Sequence, residues 1–174
     1  MFQEIGKASA VVAAGMVGVA SIGNAVGRIF WAWISDAITR RWTFVTMFLL
    51  QVGLFWILPG TSSAAILTIL SFIVLMCYGG GFGTMPAFTA DYFGSKNVGP
   101  IYGLMLTAWG SASAFGPLLI AHMRQSSGSY TSGLHLIAGF MAVSMLLPIL
   151  VSPPKSDRAT VARAPRAIPA LHSK

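Results

Sequence analysis

The residue best suited to chemistry in this sequence is an arginine within an apolar segment. Arg28 follows 20 consecutive residues that carry no charge. Ser21, Asn24 and Ser35 recur with this arginine at steps of three, four and seven residues, which places the four side chains on one stripe of a helix. A guanidinium stays charged and donates two parallel hydrogen bonds, so Arg28 is suited to binding a carboxylate. The alternative is that its long side chain reaches the nearer end of the helix or pairs with a neighbouring helix.

Two aromatic residues are candidates for the wall of such an anion site. Tyr78 and Phe82 are four residues apart in a second apolar segment, so their rings lie on one face of a helix. Aromatic pairs at this spacing also occur as ordinary packing contacts. The residues alone leave both interpretations open.

The sequence predicts neither an enzyme nor a metal or cofactor site. His122, His135 and His172 lack the four-residue spacing by which two histidines on one helix bind a metal ion. The apolar segments contain no pair of a nucleophile and a base, and the glycines between positions 79 and 83 lack the Lys-Ser/Thr of a phosphate loop. We also expect no Asp or Glu within the apolar helices, which would exclude a carboxylate proton relay in this chain.

The elements that must position these side chains are membrane-length helices. Of the 174 residues, 55% are hydrophobic and 9% are charged, against roughly 25% charged in a soluble domain. Uncharged stretches of 20, 49, 27 and 30 residues suit helices that cross a bilayer, since a span needs about 20 apolar residues. We therefore predict an all-α, polytopic transmembrane bundle with five helices and not a β-barrel. The predicted helices cover about residues 9–34, 42–59, 64–88, 100–121 and 133–151. Ala20, Gly23 and Gly27 form a stripe of small residues on the first helix, which predicts the close approach of a neighbouring helix.

The basic residues predict how the chain is oriented in the membrane. The predicted loops on one side carry Arg40, Arg41 and Lys96, and residues 152–174 add five more basic side chains, whereas the other side has Lys7 and Arg124. The positive-inside rule then places the N-terminus outside and residues 152–174 in the cytoplasm as a basic tail. We expect a multi-pass protein of the plasma (inner) membrane. Because the basic residues follow topology and form no stripe with interleaved aromatics, nucleic-acid binding is not expected.

The connection after the first predicted helix resembles a family motif. The run GRIFWAWISDAITRRW is similar to the short loop motif of the major facilitator superfamily, and Asp36, Arg40 and Arg41 match it. In that family the acidic residue caps a neighbouring helix end and pairs with the loop arginine, which favours one access state. Ala32 and Thr39 stand where the motif usually has glycines, so the resemblance implies a weaker conformational lock here.

A second run narrows the resemblance. The residues YGGGFGTMPAFTADYFGSKNVGPIYGLMLTAWGSASAFGPLL resemble the tenth and eleventh spans of the oxalate/formate antiporter family, a branch of that superfamily. The chain then corresponds to spans eight to twelve of a twelve-span transporter, a partial major facilitator fold over residues 1–151. The position that matches the carboxylate-binding arginine of span eight is Arg28. The family's second cation on span eleven has no counterpart, because residues 101–121 contain no Lys or Arg and Trp109 occupies the closest position.

The resemblance implies a function in transport of small organic anions. One cation with aromatic walls suits a monocarboxylate such as formate, pyruvate or lactate better than the dianion oxalate. The expected substrate-binding residues are Arg28, Asn24, Tyr78, Phe82 and Trp109. Five helices provide one wall of a site that lies between two halves, so we expect a fragment or truncated C-terminal half that is inactive without its N-terminal half. Its expected partners are a small carboxylate, the lipid bilayer and that missing half. The alternative function is a structural or regulatory membrane subunit that does not transport.

Overall fold

The computed structural model describes residues 9–151, and every long element in this range is a helix. The helices are α1 (Ala10–Ile38), α2 (Arg40–Ile57), α3 (Ala64–Phe93), α4 (Val98–Ser127), α5 (Thr131–Ser144) and α6 (Leu146–Leu150). Helix α6 continues α5, so the described part contains five apolar segments long enough to cross a membrane. This confirms the predicted all-helical bundle with five membrane-length helices. The predicted basic tail at 152–174 lies outside the described residues.

The helices extend beyond several of their predicted ends. Helix α1 continues to Ile38 instead of ending near 34, and α3 continues to Phe93 instead of ending near 88. The predictions stopped at charged residues, but a charge in the last turn of a helix can be satisfied by a neighbouring charge. Asp36 and Asp91 therefore lie in the last turns of α1 and α3, beyond the predicted bounds of these helices.

Helix α1 packs most extensively on α3, and glycines on both helices make the approach possible. A Cβ added at Gly27 would overlap the Met76 carbonyl group, and one added at Gly83 would overlap the Arg28 carbonyl group. The small-residue stripe predicted on the first helix thus lies against another backbone, as such stripes do in membrane proteins. This close approach positions Arg28 directly beside α3.

Two clusters of buried side chains hold the bundle together. One contains Met16, Leu58, Leu67 and Leu134, and joins α1 and α3 to the end of α2 and the start of α5. The other contains Trp31, Phe44, Met47 and Cys77, and joins α1, α2 and α3 near the opposite end of α1. Helix α4 contributes no buried residue to either cluster, so it is the least packed helix of the described part.

The connections at one end of the bundle are very short. Thr39 alone separates α1 from α2 and has φ 85° and ψ 146°, a conformation that is costly for a residue with a Cβ. Gly94, which follows α3, has nearly the same angles, φ 82° and ψ 148°. A threonine thus occupies a glycine conformation at the position where the loop motif usually has glycine. We call this end of the bundle the Thr39 end.

Candidate functional site

The Arg28 side chain lies over an aromatic ring of α3. Its guanidinium carbon is 5.8 Å from the centre of the Phe82 ring, within the range of a cation–π contact. The residue is exposed in the described structure. The contact follows from the helix packing, because Gly83, the neighbour of Phe82, lets α3 lie against the Arg28 backbone.

Phe82 is also the centre of an aromatic group that joins α3 to α4. Its ring centre is 5.2 Å from that of Tyr78 and 5.5 Å from that of Trp109, with edge-to-face geometry in both pairs. The Trp109 indole Nε1 donates a hydrogen bond of 2.7 Å to the Tyr78 hydroxyl oxygen. We call Tyr78, Phe82 and Trp109 the aromatic wall. The structure thus brings four of the five predicted substrate-binding residues together.

The fifth predicted residue, Asn24, packs against the α3 backbone. A Cβ at Gly79 would lie 2.6 Å from the Asn24 Oδ1 atom, so only glycine leaves room for this side chain. The Oδ1 atom is buried and has no hydrogen-bond partner among the described residues. Its role in binding a substrate stays a prediction.

The charge of Arg28 is not neutralised within the described structure. Both ion pairs found between residues 9 and 151 are made by Arg40, and they engage Asp36 and Asp91. A guanidinium beside apolar rings attracts an anion more strongly than one in bulk water, because the local dielectric constant is lower. An anionic ligand at Arg28 stays a prediction.

The loop motif forms a separate polar cluster at the Thr39 end. The Arg40 Nη1 atom lies 2.5 Å from Asp36 Oδ1, and its Nε atom lies 3.1 Å from Asp91 Oδ2. Arg40 also donates a hydrogen bond to the Ser35 hydroxyl, which is buried beneath it. These contacts connect the ends of α1, α2 and α3, as the resemblance implied for Asp36 and Arg40.

Arg41 contacts a different helix from the two that Arg40 contacts. It donates a hydrogen bond to the backbone oxygen of Ile149 in α6. A helix C-terminus leaves carbonyl groups without intrahelical donors, and a basic side chain satisfies one of them here. Arg41 therefore attaches the last helix to the Thr39 end. The conformational role of the whole motif stays a prediction.

The sequence analysis missed Asp91 and the hydrogen bond between Tyr78 and Trp109. One signal for Asp91 was present, since it is the sole acidic residue between Asp36 and Asp157 and directly follows an apolar segment. An unneutralised carboxylate at that place predicts a basic partner at the same end of the bundle. The aromatic hydrogen bond had no comparable signal, because it joins residues 31 positions apart on different helices.

The aromatic wall and Arg28 provide binding groups only. They offer one cation, one hydroxyl and three ring surfaces, with no base beside a nucleophile. Among residues 9–151 no group of three or more His, Cys, Asp or Glu side chains is placed to bind a metal ion.

A cavity of about 300 Å³ lies elsewhere, between the turns at 59–62 and 128–131, and contains none of the predicted site residues. Arg28 and the aromatic wall instead face an open surface. An open surface is what one wall of a larger site would present.

Comparison with known proteins shows the family of the chain. A sequence model described as Major Facilitator Superfamily matches residues 1–172. The chain is also 30% identical over 125 residues to a protein named Apicoplast pyruvate carrier 2 from Toxoplasma gondii. That alignment covers 71% of this chain but 18% of the relative. The matched part is therefore less than a fifth of the relative's length.

Proposed function

Because this chain belongs to the major facilitator superfamily, we propose that it forms one wall of a carrier for small organic anions. Its five apolar helices make it an integral membrane protein. The observation that supports the proposal is the Arg28 guanidinium, which lies against the Phe82 ring and is without an ion-pair partner in the described range. In this proposal the guanidinium binds the substrate carboxylate, and the aromatic wall contacts its carbon atoms.

The charge of the site favours a monocarboxylate. Helix α4 carries no Lys or Arg before Arg124, and its Trp109 ring lies against Phe82, so the described residues offer no second cation at the aromatic wall. A second carboxylate would lose its hydration beside rings that carry no charge, which costs free energy. The similarity to a protein named as a pyruvate carrier supports the same class of substrate.

The proposed site needs a second wall. None of the α4 residues is buried, although the helix is apolar over its length. An N-terminal half that packs against α4 would cover this surface and enclose the substrate near the membrane midplane. We further propose that the chain belongs to the oxalate/formate antiporter branch as spans eight to twelve, in the plasma membrane, with its basic tail in the cytoplasm.

The test compares substitutions of Arg28 in the full-length gene product that contains this sequence. We expect Arg28→Lys to reduce uptake of radiolabelled pyruvate at least about tenfold, because lysine keeps the charge but loses the two parallel hydrogen bonds. Lys96→Gln is the matched control, since it removes a positive charge from the short turn at Ser95–Asn97 without touching the aromatic wall. Its uptake should equal that of the native protein.

A structural or regulatory subunit without transport activity is the alternative function. It predicts that Arg28→Lys alters at most the amount of protein in the membrane. Immunoblotting for residues 155–174 measures that amount and also the size of the native product. A band near 18.4 kDa would direct the search to a separate partner that supplies the second wall.

A further inference from the structure

The hydrogen bond between Trp109 and Tyr78 has a defined direction. An indole Nε1 can only donate, so the Tyr78 hydroxyl oxygen must accept at 2.7 Å. The hydroxyl has one hydrogen of its own, which therefore points away from the indole. Within residues 9–151 the structure gives this hydrogen no acceptor. Tyr78 thus presents a hydrogen-bond donor to its surroundings.

This donor belongs to a residue that contacts the same aromatic ring as the Arg28 guanidinium. Tyr78 and Arg28 both contact Phe82, with the Tyr78 ring centre at 5.2 Å and the guanidinium carbon at 5.8 Å from the Phe82 ring centre. The Tyr78 side chain is 40% exposed, so a ligand can reach its hydroxyl. One neutral donor and one positive charge therefore lie on residues that contact the same ring.

We propose that Tyr78 determines specificity by donating a hydrogen bond to the neutral oxygen of a 2-oxo monocarboxylate, and that Trp109 positions this donor. This proposal rests on the proposed function, in which Arg28 binds the carboxylate. A 2-oxo acid carries its carbonyl oxygen on the carbon next to the carboxylate, so it offers one anionic group and one neutral acceptor. These two groups match the Arg28 guanidinium and the Tyr78 hydroxyl.

The same groups discriminate against other acids. A simple carboxylic acid such as propionate has a methylene in place of the carbonyl, so the Tyr78 donor would lose water without gaining an acceptor. Sites built to hydrogen-bond a substrate oxygen reject the analogue that lacks it much more strongly than apolar pockets reject an extra methylene. Oxalate would place a second negative charge where the chain supplies a single neutral donor, and would lose hydration there.

The test measures uptake of radiolabelled pyruvate and its inhibition by propionate, in membrane vesicles that contain the full-length product. For Tyr78→Phe we expect the KM for pyruvate to rise about five- to tenfold, since one hydrogen bond to a neutral oxygen is lost. The inhibition constant of propionate should stay the same or fall, because Tyr78→Phe removes the hydroxyl that propionate leaves without an acceptor. The ratio of the two constants is a readout that a purely structural role of the ring would leave unchanged.

Two further variants separate the donor from its positioning. Trp109→Phe keeps a ring but removes the indole N–H, so the Tyr78 hydroxyl is free to rotate and the KM for pyruvate should rise by a smaller factor, about two- to threefold. Tyr92→Phe is the matched control, because it removes a hydroxyl from the same helix about 21 Å away and leaves the ring stacked on Phe88. Its kinetic constants should equal those of the native protein.

The outcomes distinguish this proposal from the proposed function. If Tyr78→Phe raises both constants equally, or changes neither, Tyr78 is not the specificity donor, whatever Arg28 does. If Arg28→Gln leaves pyruvate uptake and propionate inhibition intact, the anion site itself is wrong, and the Tyr78 proposal is overturned with it. Immunoblots of the vesicles correct every rate for the amount of protein.

Discussion

Replacing Thr39 by glycine should stabilise the protein. Thr39 has φ 85° and ψ 146°, a region populated almost entirely by glycine, and a residue held there loses about 1–3 kcal/mol. Its side chain is exposed and makes no capping hydrogen bond to α2. The two bonds that Thr39 accepts, at 3.1 Å from the Thr43 amide and 2.9 Å from the Thr43 hydroxyl, use its backbone oxygen and survive the substitution. The variant therefore relieves strain without losing a contact.

The net gain is smaller than the strain, because glycine also makes the unfolded chain more flexible by about 0.5–1 kcal/mol. We expect Thr39→Gly to increase the free energy of unfolding by about 0.5–2 kcal/mol. The assay is thermal unfolding of the detergent-solubilised protein, where each kcal/mol corresponds to about 2–4 °C for a chain of this size.

Two control variants test whether the increase in stability comes from relief of backbone strain at Thr39. Thr61→Gly changes a threonine at φ −95° and ψ 117°, an ordinary extended conformation, and should lower the unfolding temperature. Gly94→Ala adds a Cβ to the matching glycine conformation, where no atom lies within 4 Å, and should lower it through backbone strain alone. A Thr39→Gly variant that is destabilised as much as Thr61→Gly would refute the assignment of strain to Thr39.

Two further variants test the packing and the charges of the bundle. Gly83→Ala should destabilise the protein by about 1–3 kcal/mol in the same assay, because its Cβ overlaps the Arg28 carbonyl group, whereas Gly81→Ala meets no atom within 4 Å and should be neutral or slightly stabilising. Equal effects of the two alanines would contradict the close approach of α1 and α3. Asp91→Asn should cost less than about 1 kcal/mol, since the Asp91 side chain is 56% exposed, and the difference from the native protein should shrink as salt is added. A large loss that salt does not alter would instead place this ion pair in a buried environment.

The fold was predictable from the sequence to the extent that it depends on composition and local spacing. Uncharged stretches gave the five helices, and the small-residue stripe at Gly23 and Gly27 predicted a close helix approach, which the structure shows against α3. The helix ends were not predictable in the same way. The predicted ends of α1 and α3 lay before Asp36 and Asp91, because a lone carboxylate is costly in an apolar segment. The structure shows that Arg40 pairs with both carboxylates.

The candidate site was predictable residue by residue but not as an arrangement. The three-, four- and seven-residue steps around Arg28 gave the face of α1, and the spacing of Tyr78 and Phe82 gave a face of α3. Periodicity indicates which face of a helix is shared, but it does not indicate the neighbouring helix. The contact of Trp109 with both aromatic residues of α3 depends on the way α4 crosses α3, which is a tertiary property.

The charged residues that pair at the Thr39 end differ from the charged residue that we propose binds an anion. Both carboxylates of the described range, Asp36 and Asp91, pair with Arg40 at the Thr39 end, so neither is left to neutralise Arg28. Substitutions at the Thr39 end should therefore change the unfolding temperature and leave the ratio of pyruvate and propionate constants unaltered. Substitutions in the aromatic wall should do the reverse, because Tyr78 and Trp109 are both exposed and belong to neither buried cluster. A variant of Asp91 that changed that ratio would show that the two ends of the bundle are coupled, as a conformational lock at the loop motif requires.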